Sequence, residues 1–207
     1  EIKEGDLTKI VQATNTVNAN KRGWSVFTRG GFGSPEEIKG TGAIPCGNEK
    51  IVVDETKCIT LTVKPSAEIA FAFAAPRGIV VKIVGLEGGD KYIRAPEFLN
   101  SFKAKTKYKT EAGGTEIKIY GAITKFDCEK NKYNLIGLNV SKNSALKVLY
   151  CGENNLTKLD LSRNTALEVL MCYENNLEVL DLSYNVALEE LKCQENQIRS
   201  LNLTKMR

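Results

Sequence analysis

Histidine is absent from all 207 residues of the sequence. Its absence removes the commonest general base and the commonest metal ligand, so triad hydrolysis and His-ligated metal chemistry are excluded. Long apolar runs are missing too. The most apolar stretch, Ile69 to Pro76, lies between Glu68 and Arg77 and is far short of the ~20 residues that cross a bilayer. Six cysteines are present but no CxxC pair, which argues against a zinc site. The glycines around the single tryptophan are not followed by GK[ST], so they form no phosphate-binding loop. Charge of one sign is not concentrated either: 29 Lys and Arg against 25 Asp and Glu give +4, without the arginine cluster by which nucleic-acid binders gather positive charge on one face. The chain opens on Glu1 with no basic, apolar and small-residue leader, so any export signal is expected to have been removed or never included.

The composition, 42% hydrophobic and 26% charged, is that of a globular chain with room for one large domain or two small ones. Charge and texture change together near Leu135: 21 Lys and Arg stand against 16 Asp and Glu before it, and 8 against 9 after it. The second part is a repeat. Rows beginning at Leu135, Leu156 and Leu177 read LIGLNVSKNSALKVLYCGENN, LTKLDLSRNTALEVLMCYENN and LEVLDLSYNVALEELKCQENQ, and a partial row, IRSLNLTKMR, begins at Ile198. The period is 21 residues, and within a row Leu156, Leu159 and Leu161 are followed by Leu167, Leu170 and Cys172, so LxxLxL occurs twice, ending in cysteine the second time. Apolar residues at alternate positions point to one side of a short strand, and stacking turns buries a core that no single turn could close. A degenerate turn precedes these rows, because Ile123, Phe126, Cys128 and Asn131 have the spacing of Leu146, Leu149, Cys151 and Asn154. The solenoid is therefore expected to begin near Ile117. The last row stops at Arg207 where another turn has begun, so the parent polypeptide is expected to continue.

Cys128, Cys151, Cys172 and Cys193 occupy a leucine column. Parallel Cβ vectors on neighbouring turns suit a disulfide poorly, so a ladder of buried, reduced thiols is expected. Asn131, Asn154, Asn175 and Asn196, and a second column of Asn143, Asn164 and Asn185, are expected to satisfy backbone groups of tight turns. Cys46 and Cys58 flank a segment containing Ile51, Val52 and Val53. They either form a disulfide, if the chain is exported, or remain two thiols.

These rows resemble a leucine-rich repeat, whose strand segment LxxLxL/CxxNxL is met at Leu167 to Leu177 and Leu188 to Ile198. The 21-residue, cysteine-bearing form is similar to surface leucine-rich proteins of the internalin-J type. It also resembles Bacteroidetes surface proteins in which a β-rich domain runs directly into LDLSxNxxLxxLxCxxNxL repeats. The junction in that group reads roughly TIYGxxTxLDC, and here Thr115 to Cys128 reads TEIKIYGAITKFDC. The resemblance implies an exported protein at a bacterial cell surface, with a role in adhesion or host interaction.

Upstream, Ile59, Leu61 and Val63, then Ile69, Phe71 and Phe73, then Ile79, Val81 and Ile83 alternate with other residues between Gly and Pro. This pattern predicts consecutive antiparallel strands of a small β-sandwich. The expected organisation is mainly β: a segment 1–50 packed on a β-sandwich-like domain 51–116, then leucine-rich repeats over 117–207. Lys103, Lys105, Lys107 and Lys109 fall on one face of a strand; they either meet an anionic partner or guard an exposed edge. Trp24, in NKRGWSVFTRGGFGS, either stacks on a sugar or partner or is buried in a core.

The residues between inward Leu and Cys should project outward as a ligand-facing ladder: Lys125 and Asp127, Val148 and Tyr150, Val169 and Met171, Glu190 and Lys192, with Tyr173 just beyond. Apolar side chains in register over adjacent turns call for a cover, and a protein partner is the natural one. Beside them run Glu153, Glu174 and Glu195, with Lys130 in the first turn. They form a solvated acidic edge, select a basic partner or hold calcium. No carboxylate pair is arranged for acid–base catalysis, and no cofactor is implied. The expected function is non-enzymatic recognition of a protein at the cell surface; the alternative is a carbohydrate-binding accessory protein of an outer-membrane uptake system, using Trp24 and Tyr150 as stacking platforms.

Overall fold

The structure, a computed structural model, describes residues 52–95 and 105–203. Trp24, Cys46 and Lys103 lie outside the described residues, as does the whole segment 1–50. Among the described residues every regular element is a strand.

The first alternation makes β1 (Cys58–Val63), with Ile59, Leu61 and Val63 fully buried on one face. The second makes β2 (Glu68–Ala74), which buries Ile69, Phe71 and Phe73. These successive strands do not pair with each other, contrary to the expectation of consecutive antiparallel partners. Ser66, at φ 56°, turns the chain between them. Strand β1 then pairs antiparallel with β6 (Glu116–Tyr120) and β8 (Leu135–Asn139), whereas β2 pairs antiparallel with β5 (Thr106–Lys109) and β7 (Lys125–Asp127). Each strand has one wholly apolar face, and two such faces bury more area in opposing layers than side by side. Among the described residues only β3 (Val80–Val84) and β4 (Lys91–Arg94) are consecutive strands that pair antiparallel with each other.

Strand β3 ends at Gly85, whose φ is 89° and where a Cβ would lie 2.2 Å from the Glu116 carbonyl oxygen. No other residue fits that approach.

The repeats supply β9 (Val148–Tyr150), β10 (Val169–Met171) and β12 (Glu190–Lys192), parallel to one another and to β7. They complete a six-stranded sheet in the order β12-β10-β9-β7-β2-β5, while a five-stranded sheet runs β4-β3-β6-β1-β8. On the other side of the later turns, β11 (Val179–Asp181) pairs in parallel with β13 (Ser200–Asn202). The result is a β-solenoid of about four turns. Ile117 lies in β6, in the antiparallel sheet, and parallel pairing begins at β7.

Both large sheets cross the change in sequence texture. Strand β8 is a repeat segment that joins the antiparallel sheet, and β2 and β5 extend the parallel one. Accordingly one hydrophobic cluster runs from Ile59 and Phe71 through Phe126 and Leu149 to Leu182. Phe71 is its hinge point: its ring stacks on Tyr108 at 4.3 Å and lies 5.8 Å from Phe126, the first inward residue of the parallel stack. Each buried Leu or Phe of this column contributes about 1.5–3 kcal/mol relative to exposure. The column is complete at Leu170 and only partly covered at Leu188, Leu191, Cys193 and Ile198.

Candidate binding face of the solenoid

Within each turn the inward positions set the outward ones. Phe126, Leu149 and Leu170 are fully buried, so the residues on either side of them point away from the core. Register places Lys125, Val148, Val169 and Glu190 in one outward row and Asp127, Tyr150, Met171 and Lys192 in the next.

The expected exposure of this ladder is found only at its far end. Val148 is 7% and Met171 8% exposed; each is flanked at strand spacing on both sides, Val148 by Lys125 and Val169, Met171 by Tyr150 and Lys192. Tyr150, Val169 and Tyr173 are half-buried, and Glu190 and Lys192 are exposed.

At the near end the ladder is polar and closed. Asp127 is fully buried, and its Oδ1 accepts the Lys105 Nζ at 2.6 Å and the Glu129 N–H at 3.0 Å. Lys105 also donates to the Glu129 carbonyl at 2.8 Å. Burial, and then the Asp127 carboxylate, push the Glu129 carboxyl above its ordinary range. Tyr173 reaches this group across Gly152: a Cβ on Gly152 would lie 2.7 Å from the Tyr173 ring. Its hydroxyl sits 3.5 Å from Glu153 Oε1. Burial, helped by the Glu129 and Glu153 charges, pushes the Tyr173 hydroxyl up to about 12. Burial likewise raises Tyr150.

The glutamate column has a backbone cause. Lys130, Glu153, Glu174 and Glu195 all adopt positive φ, between 48° and 65°, immediately before the turn asparagines. Two of the glutamates meet cations, Glu153 with Lys130 at 3.4 Å and Glu174 with Lys132 at 3.1 Å. Among the described residues no group of three or more acidic, Cys or His side chains is placed to hold a metal ion.

The turn asparagines bond to backbone groups of neighbouring turns through their amides. Asn154 Nδ2 donates to the Cys128 and Cys151 carbonyls at 2.9 and 3.0 Å, and its Oδ1 accepts the Asn131 N–H at 3.0 Å. Asn175 repeats this with Cys151, Cys172 and the Leu156 N–H, and Asn196 with Cys172, Cys193 and the Leu177 N–H. In the second column Asn164 and Asn185 each donate to two carbonyls of the preceding turn, and Asn143 donates to the Gly121 carbonyl. Asp160 and Asp181 each accept the N–H two residues on at 2.9 Å, closing local turns.

Cys128, Cys151 and Cys172 are fully buried free thiols, and Cys193 is half-buried. Burial pushes Cys172 up to about 12 and holds Cys128 and Cys151 well above the ordinary thiol range. Cys58 is a buried free thiol on β1, and its expected partner Cys46 lies outside the described residues. In the lysine row, Lys105 is bound to Asp127, Lys107 to Glu68 at 2.8 Å and Lys109 to Glu87 at 2.9 Å. Those three cations are matched within the chain, Lys107 and Lys109 on β5 at the edge of its sheet and Lys105 just before it.

An exposed apolar group escaped the sequence reading. Tyr184 is 50% and Val186 60% exposed, in columns where the preceding turns carry Lys142 and Ser144, then Arg163 and Thr165. Comparing columns across rows, rather than inward positions alone, would have found it.

A β-solenoid of 21-residue turns with internal cysteine and asparagine columns is therefore the class that this fold and face define. Among solved structures, part of the chain is similar to the functional domain of InlJ from Listeria monocytogenes, which includes a cysteine ladder: identity is 36%, coverage 40% of this chain and 19% of that chain, and the TM-score 0.38. The matched region thus spans about a fifth of the InlJ chain. No family profile and no curated protein matches the sequence. No helix among the described residues is long and apolar enough to cross a membrane.

Proposed function

We propose that the chain is a non-enzymatic recognition module of the leucine-rich-repeat type, exported to a bacterial cell surface, whose solenoid face binds a protein partner in adhesion or host interaction. The observation that carries this reading is the open end of the outward ladder. Half-buried Tyr150 and Val169, with Tyr173 just beyond β10, lead into exposed Glu190 and Lys192 on neighbouring parallel strands, the mixture of aromatic and aliphatic centre with charged rim that protein interfaces use. Surface location is supported by the internalin-J-like repeat in the sequence.

The structure changes the variant that tests it. Truncating Met171 opens a buried site and would confound folding with binding. Exchanging the charges instead, Glu190→Lys with Lys192→Glu, keeps both strand positions, one cation beside one anion, and the net charge. Binding to immobilised host extracellular-matrix proteins is expected to weaken by about tenfold or more in the exchanged protein, with unchanged melting temperature. Undiminished matrix binding by the exchanged protein moves the contact elsewhere, and binding on a glycan array with none to matrix proteins replaces this reading by the carbohydrate one.

A further inference from the structure

On the outer face of the antiparallel sheet, sharing no residue with the solenoid ladder, β6, β1 and β8 line a partly open cavity of about 200 Å³. Register builds it: Lys118, Thr60 and Asn139 form one row across the three strands, and Tyr120 and Cys58 form the next. Lys142, from the turn after β8, lines it as well.

The charges in this cavity do not cancel. Glu55, on its rim, is held by Lys82 at 3.2 Å, and Lys118 is held by Glu116 at 3.1 Å. Among the described residues Lys142 has no carboxylate partner, so the residues lining the cavity leave one ammonium uncompensated. Asn139 is already oriented: its Oδ1 accepts the Ser141 N–H at 3.0 Å and the Ser141 hydroxyl at 2.7 Å, which leaves its Nδ2 donors for another acceptor. The Thr60 hydroxyl is a further donor and acceptor, with only a 3.7 Å contact to Cys58 Sγ. Tyr120 is the wall. Lys82 on β3 lies 5.9 Å from its ring centroid, and register puts β3 and β1 on opposite sides of it, so the ring stands between that cation and the cavity.

The volume lies below the about 300–1,000 Å³ of pockets for drug-sized ligands, which restricts the occupant to roughly one sugar ring. We infer that this cavity binds a single hexuronic acid residue, free or at the end of an acidic glycan. The carboxylate meets Lys142, the ring hydroxyls meet Thr60 and the Asn139 amide, and an apolar sugar face lies against Tyr120. This goes beyond the protein-binding reading and uses none of its residues, so either can fail alone.

Titration of the full chain with glucuronate, followed through backbone amide shifts, tests the inference. Saturable shifts at Thr60 and Asn139 are expected, weakened about fivefold or more by Lys142→Gln and by replacing glucuronate with glucose, at unchanged melting temperature. Thr60→Val is expected to weaken glucuronate binding without abolishing folding, since Thr60 is only half-buried. Absence of shifts at Thr60 and Asn139, equal response to glucose, or equal affinity for inorganic sulfate overturns it.

Discussion

Asn131 grips Ala70 with both ends of its amide: the Ala70 N–H donates to Oδ1 at 2.8 Å, and Nδ2 donates to the Ala70 carbonyl at 2.8 Å. In later turns the same side chain reaches back to the cysteine carbonyl of the turn before, Asn154 to Cys128, Asn175 to Cys151 and Asn196 to Cys172. Strand β2 therefore stands where a preceding turn would be, although it runs antiparallel to β7. Its Phe71 ring lies 5.8 Å from that of the first inward residue, Phe126, and Phe73 is the register partner of Phe126. An open solenoid end needs both its backbone donors and its apolar column covered, and β2 covers both.

If the asparagines join turns in this way, their cost on removal should fall along the solenoid. Asn154→Ala leaves the buried Asn131 N–H without its acceptor, and a buried unsatisfied donor costs about 1–3 kcal/mol. Asn196 is half-buried, so water can replace part of what its amide provides. Urea unfolding is expected to show a loss of about 2–3 kcal/mol for Asn154→Ala and about half of that for Asn196→Ala. Equal losses would mean that the column acts within turns and not between them.

The solenoid was legible because its period is strict: a 21-residue spacing assigns Leu149, Leu170, Cys151 and Cys172 to the inside without any tertiary information. The same rule assigned outward positions but not their exposure, and Val148 and Met171 show the difference. Outwardness is a property of one strand; exposure depends on neighbours across the sheet. Pairing of β1 with β6 and β8 was not legible either, because alternation names the buried face of Ile59 and Leu61 without naming the strand beside them. The lysine row illustrates the remaining gap. The alternation places Lys105, Lys107 and Lys109 together, but Glu68, Glu87 and Asp127, which neutralise Lys107, Lys109 and Lys105, are brought to them only by the fold.

The cysteine column makes a kinetic prediction. The thiolate is the reactive species, and a thiol held near 12, as Cys172 is, has about four orders of magnitude less thiolate at pH 8 than thiol. Cys193 is half-buried and should react first with a maleimide or aromatic disulfide reagent. Cys128, Cys151 and Cys172 should react only at the rate of unfolding, so their labelling should accelerate with urea in step with the unfolding rate. Rapid labelling of Cys151 in the native protein would remove the column from the core. Cys172→Ser is expected to cost about 1–3 kcal/mol, because a hydroxyl buried there has no assured partner.

Glu129 makes the opposite kind of prediction, a wild-type side chain that opposes folding at neutral pH. Burial and the neighbouring Asp127 carboxylate raise its carboxyl above the ordinary 4.5, so the folded chain holds this proton more tightly than the unfolded chain does. Its contribution to stability is therefore fully present below about pH 4.5 and is lost as pH rises through the raised folded value. Glu129→Gln removes the charge while keeping the size and a polar end near Tyr173. Because Glu129 is only half-buried, solvent screens part of the effect, and the gain at pH 7 should be no more than about 1 kcal/mol. The difference between variant and wild type, measured by urea unfolding across pH, is expected to appear above pH 4.5 and vanish below it. A variant less stable at pH 7 by a similar amount would show instead that the ionised carboxylate, held by Lys105 and the Tyr173 hydroxyl, strengthens this corner of the face.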